Sequence, residues 1–247
     1  MNTNEMTRRK GQQGFTLVEL AIVMIIIGLL ITGILKGQEM IANAQVTSTI
    51  SASKGIDAAA STFRDTYNAV AGNFRQASTR LSATGCNGGA CTDGTGDSTI
   101  TEAPGVAAAA YTAENVQFFN HLRAADLLSG FDGTAALAYG AALPTAPVGG
   151  GFTVGYSPAG AATGLVGGGV LRAGHYIVIN GQANAAVGAA TGVLVPTQAA
   201  RVDRKMDDGV PNTGSVQVGG AGGCVNGNAY NEAVNNVVCA SFIRIQQ

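Results

Sequence analysis

Residues 15–35 read FTLVELAIVMIIIGLLITGIL, an apolar run interrupted by one charged residue. As an α-helix this run would be about 31 Å long, which matches the hydrocarbon core of a bilayer. The polar residues 1–14 precede it, and the basic residues at 8–10 outweigh the acid Glu5. Under the positive-inside rule, this basic flank stays in the cytoplasm and the bulk of the chain lies across the membrane. The run therefore predicts one membrane-spanning helix.

The composition of the chain narrows the function classes. Its 247 residues are 12% charged and carry a net charge of −1. A nucleic-acid-binding protein is expected to carry an excess of positive charge, and this chain has none. Only the run at 15–35 approaches the roughly 20 apolar residues needed to cross a bilayer, which excludes a multi-span membrane protein. The length suits one domain with an appendage, or two small domains.

Glu19 is the charged residue inside the apolar run. A carboxylate deep in a bilayer costs about 2.5–3.5 kcal/mol, so it needs a partner or a function. Cleavage after Gly14 would give Phe15 a free α-ammonium group one helical turn from Glu19. The two charges would then neutralise each other, within one chain or between neighbouring chains. A buried ion pair adds little stability, but it can fix the register of one chain against the next. The alternative is that Glu19 reaches the membrane interface near the start of the helix.

An ordinary secretory signal peptide fits this N-terminus poorly. That class has a shorter apolar core followed by a small-residue cleavage site, whereas Gly14 precedes the apolar run here. A plain signal anchor, with the chain simply held in the membrane, remains an alternative.

The segment GFTLVEL at residues 14–20, after a short basic leader, resembles the signature of type IV pilins and type II secretion pseudopilins. The resemblance covers residues 8 to about 46. It implies that a prepilin peptidase of the inner membrane cuts after Gly14 and methylates the new N-terminal Phe15. It also implies that Glu19 pairs with the N-terminal amine of an adjacent subunit during assembly.

The resemblance further implies a location and partners. The leader would be cytoplasmic and the head periplasmic in the inner membrane, and the assembled subunit would lie in a cell-surface pilus or a periplasmic pseudopilus. The partners would be the prepilin peptidase/N-methyltransferase, other pilin subunits in a homo- or hetero-filament, and an inner-membrane assembly platform. No nucleic-acid partner is expected unless the pilus takes up DNA.

One position departs from the pattern of this family. Lys36 stands where many major pilins carry a proline, and the first proline of the chain is Pro104. This departure weakens the case for an abundant major pilin. A structural subunit, a minor pilin or adhesin-type binding subunit, and a type II secretion pseudopilin therefore remain open. The filaments that serve motility, adhesion, DNA uptake and secretion are all built from subunits with the same N-terminal signature.

Residues 36–72 continue a helical pattern without proline. Apolar residues recur there at three- and four-residue steps, which predicts one buried face and an opposite polar face. The apolar positions are Ile56, Ala59, Ala60, Phe63, Tyr67, Val70 and Phe74. We expect one helix over 15–72, with a membrane-spanning half and an amphipathic half packed on a head. Two helices broken at Gly55 are the alternative.

Residues 73–247 are expected to form a small globular head. A helix is predicted at 113–129 with Thr112 as its N-cap, and a second at 198–207 with Thr197 as its cap. Strands are predicted at 152–156, 165–172, 175–180, 215–218 and 237–245. The predicted fold class is α+β, with the long helix packed on a strand-rich head.

Four cysteines, Cys86, Cys91, Cys224 and Cys239, lie beyond the predicted membrane segment, where disulfides persist. They allow three connectivities, and proximity favours Cys86–Cys91 with Cys224–Cys239. The second bridge would close a loop of about fifteen residues, worth roughly 3 kcal/mol in the chain-entropy model. A metal site is the less favoured alternative, because the spacings lack CxxC pairs and no histidine is close in sequence.

Catalytic and cofactor chemistry are not expected. His121 and His175 are the only histidines, and neither has a nucleophile or acid at a triad spacing. Asp207 and Asp208 are weak calcium candidates, in a segment (204–211) that resembles part of some pilin-like heads. A solvated helix end and turn explains these two acids better. The sequence therefore predicts a structural or binding protein and no enzyme.

Overall fold

A computed structural model describes residues 15–86, 91–106, 108–158, 170–183, 191–220 and 222–246. The chain divides into two compact units, the first ending at Ile41 and the second comprising Ala42–Gln247. The helices are α1 (Leu17–Tyr67), α2 (Ala77–Arg80), α3 (Glu114–Ala124) and α4 (Pro196–Met206), with a 3-10 turn at Ala83–Gly85. The strands are β1 (Gly151–Ser157), β2 (Gly174–Asn180), β3 (Val216–Gly220), β4 (Val225–Asn226), β5 (Ala229–Tyr230) and β6 (Cys239–Arg244).

The long helix α1 is continuous from Leu17 to Tyr67. It passes through Gly55, so the alternative of two helices broken there is wrong. It ends five residues before the predicted position 72, because Asn68 adopts a left-handed conformation with φ 50°. Asparagine tolerates this conformation and commonly ends helices in it.

The predicted apolar face of α1 is buried in the second unit. Ile56, Ala60 and Phe63 are each at most 2% exposed. The Phe63 ring lies 4.5 Å from the Tyr67 ring and 6.0 Å from the Phe74 ring, measured between centroids. The aromatic cluster therefore fixes α1 to the segment that follows it. The amphipathic half of the predicted helix is confirmed.

Four strands form an antiparallel sheet in the order β1-β2-β6-β3. The α+β class, with a long helix before a strand-rich, disulfide-linked region, is confirmed. The predicted strands at 152–156, 175–180, 215–218 and 237–245 correspond to β1, β2, β3 and β6. Of the strand predicted at 165–172, residues 165–169 lie outside the described residues and 170–172 belong to none of the six strands.

A second sheet pairs β4 with β5, and the sequence analysis missed it. Each of its strands has only two residues, too few for an alternating pattern to emerge. Gly227 lies between them with φ 61°, a left-handed conformation that glycine adopts at low cost.

Helix α3 begins at Glu114, and its N-cap is Ala113 instead of the predicted Thr112. Ala113 contributes no side-chain capping bond. Instead, the Asn115 backbone N–H is satisfied by the Glu102 carboxylate at 3.0 Å. A long-range acceptor therefore replaces the local cap that the sequence suggested.

Helix α3 also ends earlier than predicted, at Ala124 instead of residue 129. Asp126 takes φ 56°, and its N–H donates to the Arg123 carbonyl at 3.0 Å. The Leu127 N–H donates to the Leu122 carbonyl, also at 3.0 Å. These two bonds form a Schellman motif with an aspartate at the left-handed position. The prediction assigned that position to Gly130, because glycine adopts it more readily.

Helix α4 begins at Pro196, two residues before the predicted start. Proline suits the first helical position because no N–H is needed there. The Gln198 side chain accepts a hydrogen bond from the Val195 N–H at 3.1 Å, so Thr197 is not the cap. Two side-chain bonds then join α4 to α1: Arg201 to Asn43 at 2.6 Å, and Lys205 to Thr47 at 2.8 Å.

His121 on α3 is fully buried and holds two backbone segments together. Its Nδ1 accepts a hydrogen bond from the Gly72 N–H at 2.9 Å, and Nε2 lies 3.0 Å from the Thr92 carbonyl. Since Nδ1 is an acceptor, the ring is neutral and Nε2–H donates to Thr92. Protonation of Nδ1 would therefore break the bond to Gly72.

We expect the His121→Gln variant to lose less stability on acidification than the unchanged protein. Burial lowers the pKa of His121 to about 4, from 6.5 in an exposed histidine. The unfolded chain thus takes up a proton first, and stability present above pH 6.5 is lost as the pH falls toward 4. The difference in this loss should be about 2–3 kcal/mol. Denaturant unfolding of the detergent-solubilised protein at pH 7.5 and pH 4.5 measures it.

Comparing the two proteins isolates His121 from other titrating groups. Burial raises the pKa of Asp203 to about 6, which opposes the histidine effect over part of this range. Asp203 and His175 are present in both proteins, so their contributions cancel. Equal pH dependence in the two proteins would contradict the assignment.

Candidate functional site

The start of α1 carries the residues that the sequence analysis assigned to processing and assembly. Gly14 lies outside the described residues, whereas Phe15 and Glu19 lie within them. Phe15 is 90% exposed, and the apolar residues that follow it along the first unit are exposed as well. Of the described helices, only α1 is long and apolar enough to cross a membrane.

Glu19 forms a capping box with Thr16 at the start of α1. The Thr16 N–H and hydroxyl both donate to Glu19 Oε2, each at 2.9 Å. In return, the Glu19 N–H donates to Thr16 Oγ1 at 3.2 Å. Two of the unpaired N–H groups at the helix start are thereby satisfied.

This role of Thr16 was missed in the sequence analysis. The signal was present, because Thr-x-x-Glu before an apolar run is the pattern of a capping box. The sequence analysis assigns Glu19 to pairing with an N-terminal amine and gives it no role in its own helix. The structure gives it a local function as well: it fixes the first turn of α1, next to the predicted cleavage point.

A small apolar cleft of about 480 Å³ lies beside this first turn. Its lining residues are Phe15, Glu19, Leu20, Ile22 and Val23. Glu19 is the only charged residue among these five. The structure therefore places the carboxylate within an apolar surface. A surface of this kind is unfavourable in water and needs to be covered by lipid or by another protein chain.

The two disulfides are Cys86–Cys91 and Cys224–Cys239, the pairing that proximity favoured. Cys224 and Cys239 are fully buried, and Cys239 begins β6. This bridge ties the segment before β4 to a central strand of the main sheet. The other bridge closes a short loop beside the 3-10 turn.

The calcium candidates Asp207 and Asp208 lie together with Asp203 at the end of α4. One oxygen atom from each carboxylate lies within 4.8 Å of the others. All three carboxylates accept hydrogen bonds from the protein itself. The donors are Tyr230 and Gly209 to Asp203, Ser215 and Val216 to Asp207, and Thr213 and Val210 to Asp208. Two of these donors lie on strands, Tyr230 on β5 and Val216 on β3, so the carboxylates also join the end of α4 to the two sheets. Calcium binding was the less favoured interpretation of the sequence, and it stays a prediction.

Comparison with known proteins gives one match, and it falls on the N-terminal segment. Residues 9–35 match the family described as the prokaryotic N-terminal methylation motif, the type IV pilin and pseudopilin signature. The matched range contains Gly14, Phe15 and Glu19. No curated protein and no solved structure matches the chain. The resemblance found from residues 14–20 is therefore confirmed.

Proposed function

We propose that this protein is a structural subunit of a type IV pilus or a related filament, assembled from the inner membrane after prepilin peptidase processing. The match of residues 9–35 to the N-terminal methylation motif carries the proposal. That motif points to a pilin-like structural subunit instead of an enzyme, and it implies processing by a prepilin peptidase and assembly with other pilin subunits.

Before assembly, the apolar half of α1 crosses the inner membrane. The motif and the exposed apolar residues of the first unit suit membrane insertion. The basic residues at 8–10 keep the leader in the cytoplasm, so the head emerges in the periplasm. Cleavage after Gly14 and methylation of the new Phe15 amine then prepare the subunit for assembly.

During assembly, the apolar helices leave lipid and pack against one another in the filament core. This exchange of one apolar environment for another gives little net driving force, so helix packing and polar contacts set the register. Glu19 Oε2 accepts both bonds from Thr16, which leaves Oε1 to accept from the Phe15 ammonium of a neighbouring subunit. One carboxylate thus caps its own helix and docks the next subunit.

The same signature fits a minor pilin, an adhesin-type binding subunit or a type II secretion pseudopilin. These candidates share the N-terminal chemistry and differ in the abundance of the subunit and the role of the head. A major subunit should dominate sheared filaments, whereas a minor subunit should be a trace component of them.

Mass spectrometry of the N-terminal peptide of the mature protein tests the proposal. We expect the working protein to begin at N-methyl-Phe15, because the motif places cleavage after Gly14 and methylation on the residue that follows. A protein that retains Met1, or begins at any other residue, would contradict processing and remove the ammonium partner of Glu19.

A further inference from the structure

A polar cleft of about 1040 Å³ lies in the second unit, at the meeting of α1, β2 and β6. Three arginines line it: Arg64 from α1, Arg172 just before β2, and Arg244 at the end of β6. This volume is close to the upper limit for small-molecule sites, about 1,000 Å³. No function assigned above uses this cleft.

The three arginines have no ion-pair partner within the described residues. The two ion pairs found there are Lys36–Glu39 and Arg204–Glu232. Arg244 donates to the Ala173 carbonyl at 2.8 Å, which orients its guanidinium beside the cleft. Arginines that line a cleft without forming ion pairs of their own attract an anion that enters it.

Two acids, Asp57 and Asp207, also line the cleft, and both are engaged by backbone donors. Asp57 Oδ1 accepts the Gln246 N–H at 3.3 Å. Asp207 Oδ2 accepts the N–H groups of Ser215 and Val216. These carboxylates reduce the net charge of the cleft to about +1, but they leave the guanidinium groups free to bind.

The charges of the arginines act on two neighbouring residues of β2, of which His175 lines the cleft. Burial lowers the pKa of His175 to about 4, and the charge of Arg64 adds to that shift. Burial raises the pKa of Tyr176, and the charges of Arg244 and Arg172 oppose that rise. Consecutive side chains of a strand point to opposite faces of the sheet, so Tyr176 lies outside the cleft and His175 is the residue of this pair that lines it.

The remaining wall suits a hydroxyl-bearing ligand. The Tyr156 ring lies 5.1 Å from the His175 ring between centroids and offers an aromatic surface. The hydroxyl groups of Ser98, Thr99 and Ser215 line the same cleft. Hydroxyl groups both donate and accept hydrogen bonds, which complements a sugar.

We propose that this cleft binds an acidic sugar, a saccharide that carries a carboxylate or a phosphate group. The planar guanidinium of arginine binds both groups through two parallel hydrogen bonds. The aromatic ring and the hydroxyl groups would hold the sugar ring beside the bound anion. This inference does not depend on the filament function.

Binding of acidic sugars to the full-length protein in detergent tests the proposal. The probes are glucuronate and glucose 6-phosphate, with neutral glucose as the matched control, measured by calorimetry. We expect saturable binding of at least one acidic sugar and none of glucose over the same concentrations. Tighter binding of an oligogalacturonate than of glucuronate would support the same site and identify a polymer as the source.

The variants Arg64→Gln and Arg172→Gln separate the cleft from general electrostatics. Both side chains are exposed, so the fold should survive their replacement. Each variant should bind the acidic sugar at least about tenfold more weakly, because a charge-assisted bond is lost. Lys54→Gln removes the same charge from an exposed position of α1 outside the cleft, and it should change binding less than about twofold.

Three results would overturn the proposal. The first is an absence of saturable binding of either acidic sugar. The second is unchanged affinity in the arginine variants, or an equal loss in the lysine control. The third is a loss of filament incorporation in the arginine variants without sugar binding in the unchanged protein, because the cleft would then receive a neighbouring subunit.

Discussion

The Glu19→Ala variant should insert into the inner membrane normally and be nearly absent from filaments. In the filament core, the Phe15 ammonium of the neighbouring subunit would lose its counter-ion. Breaking one partner of a buried ion pair costs about 3–5 kcal/mol, which lowers incorporation at least about a hundredfold at each docking step. Membrane fractionation and quantification of sheared filaments measure the two stages separately.

Two further variants separate the charge of Glu19 from its capping role. Glu19→Gln removes the charge but keeps an acceptor for Thr16, since glutamine also serves in a capping box. We expect it to assemble as poorly as Glu19→Ala. Thr16→Val removes the hydroxyl and keeps the charge, so it should cost about 1 kcal/mol of helix capping and leave most assembly intact.

The opposite ranking would change the mechanism. If Glu19→Gln assembles normally and Thr16→Val does not, the side chain at position 19 acts by capping its own helix and its charge is not needed. Normal incorporation of Glu19→Ala would contradict both roles.

The Gly14→Val variant should accumulate as an unprocessed, unmethylated chain. A peptidase that recognises glycine at this position would meet a branched side chain in its place, and such a misfit should lower processing about tenfold or more. The basic leader would stay attached to Phe15, so the ammonium partner of Glu19 would not form. The mass of the intact protein in membranes measures the fraction that retains residues 1–14.

A matched control replaces the neighbouring residue with the same side chain. Gln13→Val leaves the glycine before the cleavage point unchanged, and it should be processed nearly as well as the unchanged protein. A Gly14→Val protein whose mature chain still starts at Phe15 in normal amounts would contradict the requirement for glycine before the cleavage point.

The sequence was sufficient where a local pattern set the structure. Repetition of apolar residues at three and four positions predicted the buried face that includes Ile56 and Phe63. The apolar run of β2 between two glycines predicted that strand to within one residue. Proximity favoured the observed cysteine pairs because short loops lose little entropy on closure.

The sequence did not predict the ends of α3 correctly, because alternative local conformations differ little in free energy there. Asp126, instead of Gly130, ends α3, because a short polar side chain pays a modest penalty in the left-handed region. Similarly, α3 has no side-chain cap from its own N-cap residue. The Glu102 carboxylate, which lies in the preceding loop, accepts the Asn115 N–H instead. Long-range contacts of this kind leave no periodic signal.

The arginine cleft is also a product of tertiary structure. Arg64, Arg172 and Arg244 are far apart in sequence, and each is an ordinary exposed cation by itself. Antiparallel pairing of β2 with β6 aligns Tyr176 with Arg244, and the packing of α1 adds Arg64. Only the topology brings the three charges together.

The strand order has a consequence for how the protein matures. β6 lies between β2 and β3, so the β2 edge opposite β1 stays unpaired until residues 181–238 have been synthesised and β6 has followed them. An open strand edge invites pairing with another chain. Residues 181–238 thus impose a delay during which this edge of β2 is open to such pairing. The Cys224–Cys239 bridge then holds the late strand in place, and it forms only after the chain through Cys239 has been made.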